Sequence, residues 1–364
     1  MLLTANLEDR DIDLKSWSIW DADGGGSVPY IYDLRKPNWG SGRFEDYNPS
    51  LRTNYNKQVQ AWGAGLQHVA YLGDRWTTRI GVGFNNIDQS YEHLGTDRGG
   101  ATPEQDASDS GVSYNVGVTF RPAESMALFL NASRGRTAYS ILGSISGDDD
   151  RPDSESESYD VGIRMKLLND QLLGSLVVFR TARANLRYNN PDYNDNPDDP
   201  EYNVSVRQYY YDGEERSEGV ELDLNAQLSA AWYLHVNATY QEARDRMDPY
   251  TSSYGEPMKG TPVVSAGTWL TYTTDHWLPG TLKASFGGNY VDGRSAGSTS
   301  FGLPDGYVPS YSVWNGALTW EMKRWRAQLN LDNLSDKTYY SRALFLGGIP
   351  GAQRNVRLTL NYSL

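Results

Sequence analysis

The feature that most constrains this chain is an alternation of apolar and polar residues that returns about a dozen times along its length. Side chains on a β-strand point to opposite faces in turn, so a period of two makes one apolar row and one polar row. In the last segment Val356, Leu358, Leu360, Tyr362 and Leu364 alternate with Arg357, Thr359, Asn361 and Ser363. Just before it, Trp325, Ala327, Leu329 and Leu331 alternate with Arg326, Gln328, Asn330 and Asp332. The same reading holds for Val220, Leu222, Leu224, Ala226 and Leu228 against Glu221, Asp223, Asn225 and Gln227. Tyr159, Val161, Ile163, Met165 and Leu167 likewise stand against Asp160, Arg164 and Lys166. No apolar run approaches the roughly 18 residues of a membrane-spanning helix.

One-faced strands build soluble sandwiches as well as barrels, and the connections separate the two. Short turns fall at Gly73–Arg75, Pro122–Ser125, Asn169–Gln171, Ser229–Ala231, Trp277–Gly280 and Lys323–Arg324. Between them lie long polar stretches: Gly95–Ser110, Ser144–Ser156, Asn189–Gly213, Arg246–Thr261, Gly293–Tyr307 and Arg342–Gln353. Alternating short and long connections are the layout of an outer-membrane barrel, with short periplasmic turns and long extracellular loops. The expected fold is therefore all-β, a transmembrane antiparallel up-and-down barrel. Thirteen strands are predicted from about Gln58 to Leu364, and one at Asp13–Trp20 makes fourteen. Residues 1–57 are expected to hold that N-terminal strand and an extracellular loop, and residues 58–364 the barrel region.

Composition fits a wall with one wet face. Hydrophobic residues are only 38%, yet there are 26 Tyr and 11 Trp, so low hydropathy reflects alternation and not disorder. Trp76, Phe120, Trp232, Tyr233, Trp277, Trp320, Trp325, Tyr339 and Tyr340 lie near strand ends, as an interfacial aromatic girdle requires. A net charge of −13 excludes a nucleic-acid partner, which needs clustered Lys and Arg. The absence of Cys excludes disulfides and thiolate metal sites. Met1–Arg10 lacks the basic and apolar regions of a signal peptide.

Four stretches carry a resemblance to the barrels of TonB-dependent receptors, most of all the ferric-siderophore branch. Asn333-Leu334-Ser335-Asp336-Lys337-Thr338-Tyr339-Tyr340 resembles the family's Asn-Leu-x-Asp-Lys-x-Tyr-Tyr signature. Arg354-Asn355-Val356-Arg357-Leu358-Thr359-Leu360 is similar to its closing strand, whose row Val356, Leu358, Leu360, Tyr362 and Leu364 would act as the assembly signal. There the family usually ends in Phe, and Leu364 stands in its place. Arg151-Pro152-Asp153-Ser154-Glu155-Ser156-Glu157-Ser158-Tyr159-Asp160-Val161-Gly162 resembles the start of a family strand, and Arg216-Ser217-Glu218-Gly219-Val220-Glu221 its Arg-Ser-x-Gly-Val-Glu pattern. The resemblance implies the C-terminal part of a barrel of about 22 strands, without the plug domain and about eight strands of the parent.

The function so implied is uptake of a ferric siderophore in the outer membrane of a Gram-negative bacterium. Implied partners are the siderophore, outer-membrane lipid and lipopolysaccharide, the barrel assembly machinery, and the TonB complex through an N-terminal region not in this sequence. Iron is expected only inside its chelate, with no resident cofactor or metal. Such a chelate is held by aromatic rings and a few cations. Tyr209, Tyr210 and Tyr211, with Tyr188, Tyr193 and Arg207, supply that mixture in the longest loop, and Tyr91, Tyr139, Tyr254 and Tyr307 are further candidates at strand tops. A girdle or loop-packing role is open for each of them. Alternatives are a passive outer-membrane channel or a truncated, non-functional receptor.

Other chemistries find less support. Asp192, Asp195, Asp198 and Asp199 offer hard oxygens, but Pro191, Pro197 and Pro200 interrupt them, as in a solvated loop. Arg79, Arg164, Lys166, Glu221 and Asp223 are expected to line the lumen. His68, His93, His235 and His276 have no nucleophile motif beside them, and Gly24-Gly25-Gly26 lacks a strand-to-helix setting. An enzyme is not expected.

Overall fold

The computed structural model describes residues 1–18, 50–97, 99–137, 153–194, 199–203, 205–250, 254–296, 306–344 and 347–363. These residues form strands only: β1 (Leu2–Ser18), β2 (Ser50–Leu72), β3 (Trp76–His93), β4 (Gln105–Ala123), β5 (Met126–Thr137) and β6 (Ser154–Leu167). There follow β7 (Leu172–Asn189), β8 (Tyr209–Gln227), β9 (Trp232–Arg246), β10 (Val264–Thr274), β11 (Thr281–Val291) and β12 (Arg294–Ser295). The last six are β13 (Tyr307–Val308), β14 (Tyr311–Met322), β15 (Trp325–Asp332), β16 (Tyr340–Leu344), β17 (Gly347–Pro350) and β18 (Asn355–Tyr362). Fourteen of them pair in sequence order as one antiparallel sheet, a meander from β1 to β18, while β12–β13 and β16–β17 are separate hairpins inside two long connections. Antiparallel neighbours joined in order are what the alternating turns demand.

Two compact units are distinguished, one of Met1–Gln67, Gly81–Ser113 and Arg136–Asp153, the other of His68–Ile80, Tyr114–Gly135 and Ser154–Leu364. In the second, the register lines up the apolar residues in continuous rows. Ile163, Leu176, Leu222 and Ala238 stand side by side, and so do Val161, Val178, Val220 and Tyr240. This face is bare: Val161 and Val178 are each 55% exposed. The opposite face is polar and self-bonded. Asn225 donates to Asp223 at 2.7 Å, and the Tyr233 hydroxyl and His235 Nδ1 meet Asn225 Oδ1 at 2.6 and 3.0 Å. A soluble sandwich buries its apolar face; here that face is the outer one, as lipid requires.

The girdle forms at the short-turn end. Rings stack at Trp76–Phe120 (4.4 Å), Trp232–Tyr272 (4.8 Å) and Trp325–Tyr362 (4.8 Å), and the Trp320 indole donates to the Pro279 carbonyl. Tyr233 and Tyr339 do not belong to it. Tyr233 has inward parity and bonds Asn225, while Tyr339 stacks on Tyr311 at 4.4 Å beside the β15–β18 connection.

Two family motifs resolve into backbone geometry. A Cβ on Gly219 would lie 2.1 Å from the Tyr240 carbonyl oxygen and 2.9 Å from Gln241 Cα, so only glycine lets β8 and β9 approach there. Asn333, 2% exposed with φ +49°, ends β15 in the left-handed region, which Asn tolerates better than most residues. Its side chain accepts from the Lys337 amide (2.8 Å) and donates to the Lys337 and Ala352 carbonyls (2.9 and 3.0 Å). Its own amide donates to Asn315 on β14. Leu334 donates its amide to the Trp314 carbonyl, and Asp336 accepts from the Arg354 amide and guanidinium. The signature stitches the β15–β18 connection to the wall.

In the first unit β1 pairs with β2 from Leu2↔Gln67 to Ser18↔Ser50. Both begin earlier than the expected Asp13 and Gln58. Only Leu3, Ala5 and Leu7 give β1 an apolar row, and Asp9, Asp11 and Asp13 continue it with charge, so alternation hides the strand while its hydrogen-bond ladder runs on. β18 pairs only with β15 in the sheet order, and every residue of it is exposed. Val356, Leu358, Leu360 and Tyr362 share its apolar face; Leu364 lies outside the described residues.

Candidate functional site

Strands here are longer than a membrane needs. β7 has 18 residues, whereas about 9–11 tilted residues cross a bilayer. The surplus rises beyond the apolar rows at the long-loop end, and there an aromatic cluster forms. Tyr188 on β7 packs on Tyr210 of β8 (5.4 Å) and Tyr250 of the β9–β10 connection (6.2 Å), with Tyr210–Tyr250 at 6.4 Å. The Arg187 guanidinium sits 4.3 Å from the Tyr209 ring centroid. Tyr188 is 7% exposed and donates its hydroxyl to the Asp212 carboxylate, so it is the floor of the cluster. Tyr250, 61% exposed, is its open face.

The expectation that Tyr188, Tyr209, Tyr210 and Tyr211 lie in a loop is corrected. Tyr188↔Tyr210 and Asn189↔Tyr209 are paired strand residues, and Tyr211 lies on β8. Above the membrane both faces of a strand can be polar, so no alternation marks it, and only 190–208 connects β7 to β8. Within that connection the Tyr193 amide donates to the Asn190 carbonyl, and the Arg207 carbonyl accepts from Asn190 Nδ2 at 2.7 Å. Asp199 accepts from the Glu201 amide at 2.9 Å and from Asn194, which hold its carboxyl below the ordinary range. That carboxylate closes a turn. Asp195 and Asp198 lie outside the described residues.

The cation that meets a tyrosine here is Arg187, over Tyr209, and alternation along the strands puts this pair on the face opposite Tyr188 and Tyr210. Sequence reasoning passed over Arg187 and over Tyr250, although an Arg-Tyr pair directly before the Asn189-Asn190-Pro191 break is a usable signal. Tyr254 and Tyr307 are about half exposed and stand apart from this cluster. Tyr91, in the first unit, is buried against Tyr55 at 5.3 Å. Tyr139 lies outside the described residues. A separate cavity of about 350 Å³ is lined by Asn289, Tyr311, Asn315, Asp332, Asn333 and Tyr339 among others. It joins inward-facing wall residues to the Asn333 stitch.

A one-faced antiparallel meander with an aromatic rim at its short turns is the wall of an outer-membrane β-barrel. The sequence profile described as "TonB dependent receptor-like, beta-barrel" matches residues 4–334, and the chain belongs to that family, a family of transport receptors. Among its relatives, the probable TonB-dependent siderophore receptor PiuA of Acinetobacter baumannii is 24% identical over 317 residues, covering 80% of this chain and 39% of that protein. The metal-pseudopaline receptor CntO of Pseudomonas aeruginosa is 26% identical over 344 residues, covering 92% and 45%. This chain thus spans less than half the length of either relative. Among solved structures, the ferric preacinetobactin receptor BauA of Acinetobacter baumannii superposes with a TM-score of 0.78 at 17% identity, over 99% of this chain and 51% of that one. The PiuA structure gives 0.76 at 20% identity, over 99% and 52%. At such identities the likeness speaks for the fold.

Proposed function

We propose that this chain forms wall and outer loops of an outer-membrane receptor that takes up ferric siderophores, driven by the TonB complex. The observation that carries this reading is the Tyr188, Tyr210 and Tyr250 cluster, with the Arg187–Tyr209 stack on the other face of the same ladder, at the end of β7 and β8 where a long connection begins. A ferric chelate offers flat organic arms, which stack on rings, and a net negative charge, which a guanidinium meets. Iron is then cargo inside its chelate, and the protein keeps no resident metal. The names of the relatives, siderophore and metallophore receptors, support the same substrate class.

Quenching of Trp fluorescence by added ferric siderophores tests the reading. Arg187→Gln and Tyr250→Ala should each weaken binding by roughly 3- to 30-fold, the range of one desolvated cation–π contact. Unchanged affinity in both variants would remove this cluster from the site. A large ungated conductance in planar bilayers, with no siderophore affinity, would favour a passive channel instead.

A further inference from the structure

Polar side chains on the inner face of the second unit mostly bond one another. On β8 and β9, Asp223, Asn225, Tyr233 and His235 form one such group. Nearer the short turns Glu321 meets both Lys283 and Arg326, while on β15 Gln328 joins Arg326 to Asn330. The pattern stops at the long-loop end of β11, β14 and β15, and there the cavity of about 350 Å³ opens. That volume lies at the small end of ligand pockets, about 300–1,000 Å³.

Asp332 ends β15, two positions beyond Asn330 on the inward row. Its carboxylate lines the cavity and has no hydrogen bond or ion pair among the described residues. Arg354, beside the Asn355 that pairs with Asp332, is bound to Asp336 instead. Arg294, over Tyr311, donates to the Ser341 carbonyl. The Asn333 stitch brings the β15–β18 connection back to the wall and sets Tyr339 and Ala352 against the same cavity. Tyr339 stacks on Tyr311 of β14, with ring centroids 4.4 Å apart, and neither hydroxyl is hydrogen-bonded among the described residues. From the other side the Tyr339 ring is held by the chain itself. A Cβ on Gly351 would lie 2.0 Å from its Cζ, so only glycine passes there.

We propose that this cavity binds a short organic cation by a primary ammonium group, seated on Asp332 between the phenols of Tyr311 and Tyr339. The lining holds one carboxylate and no Lys or Arg, so it attracts positive ligands and repels negative ones. An ammonium brings three N–H donors and no acceptor, which suits a carboxylate and two phenol oxygens, and its charge is favoured beside aromatic rings. The net charge of −13 adds a long-range field of the same sign. Valine side chains at 291 and 313 complete an apolar side for the aliphatic part. The site is separate from the Tyr188 cluster and does not rest on the ferric-chelate reading.

The test titrates the full chain, in nonionic detergent at about 0.15 M salt to screen its surface charge, with diaminopentane, pentanediol and glutarate. The three share one carbon chain and differ in charge, so calorimetry reads the charge preference directly. The diamine should bind about tenfold more tightly than the diol, and glutarate should not bind. Asp332→Asn keeps the shape and should weaken the diamine about tenfold; Ala352→Leu narrows the cavity without touching the carboxylate and should do the same. Asp223→Asn, at a carboxylate already bonded within the wall, and Arg187→Gln should both bind the diamine like the parent. Equal binding of diamine and diol, or a folded Asp332→Asn variant that binds the diamine as tightly as the parent, would overturn the proposal. Should Asp332→Asn fail to assemble, unchanged binding in Ala352→Leu would overturn it equally. A failure to bind siderophore leaves this readout untouched, because no iron chelate is present.

Discussion

Replacing Asn333 with alanine should cost more stability than any single change on the polar face of the wall. The side chain is almost wholly buried and makes three hydrogen bonds, one from the Lys337 amide and one each to the Lys337 and Ala352 carbonyls. Each is worth about 1 kcal/mol when its partner is left behind unpaired. Alanine is also less at ease than asparagine at φ +49°, by about 1 kcal/mol. The sum is about 4 kcal/mol. Asn333→Gly keeps the backbone conformation and should lose about 3 kcal/mol. Guanidinium unfolding of vesicle-inserted protein, followed by Trp fluorescence, measures both at an unchanged m-value. The reference is Asn330→Ala, which forfeits one bond from Gln328 on the same strand and should cost about 1 kcal/mol. If Asn333→Ala costs no more than Asn330→Ala, the stitch is not what holds the β15–β18 connection.

Three further outcomes follow from the same geometry. Gly219→Ala drives a Cβ into the Tyr240 carbonyl and should cost about 1–3 kcal/mol, seen as a lower melting point of heat-modifiable barrel on gels; unaltered melting would contradict the close approach. Tyr188→Phe strands the Asp212 carboxylate and should lower the unfolding midpoint by about 1 kcal/mol, while Tyr254→Ala, on an exposed ring, stays within about 0.5 kcal/mol. Asp199 has a lowered pKa, so its turn is held at pH above the ordinary carboxylate range and released as pH falls through the lowered value. Hydrogen exchange at the Glu201 amide should quicken there, and a pH-independent protection factor would refute it.

Alternation was legible wherever a strand crosses lipid, because only there must one face be apolar. Val220 to Leu228 and Val356 to Tyr362 could hardly be read otherwise, and the short turns placed the strands between them. The rest was hidden by the same physics. β1 has an apolar row only from Leu3 to Leu7, too short to stand out, while β1 from Asp9, β2 before Gln58 and β8 before Gly213 stand where neither face meets acyl chains, and a backbone ladder forms there without an apolar row. That is why Tyr209, Tyr210 and Tyr211 read as loop. For Asn333 the motif was visible but its work was not, since a buried amide bonded to the Lys337 and Ala352 carbonyls depends on the path of the chain far beyond it. Arg187 had one local signal, its place beside Tyr188 just before the Asn189-Asn190-Pro191 break, but the ring it stacks on, Tyr209, lies across the connection on the next strand.

The central claim is that, where the fourteen strands of the main sheet cross the membrane, one face touches acyl chains and the other touches water. The chain has no cysteine, so a single thiol placed at each position from Tyr311 to Glu321 on β14 carries the only spin label. In bilayers, oxygen accessibility should peak at positions 314, 316, 318 and 320, and a polar nickel reagent should peak at the positions between them. Equal access of the nickel reagent to both sets would mean that no lipid covers the outer row, and the barrel account would fail with it.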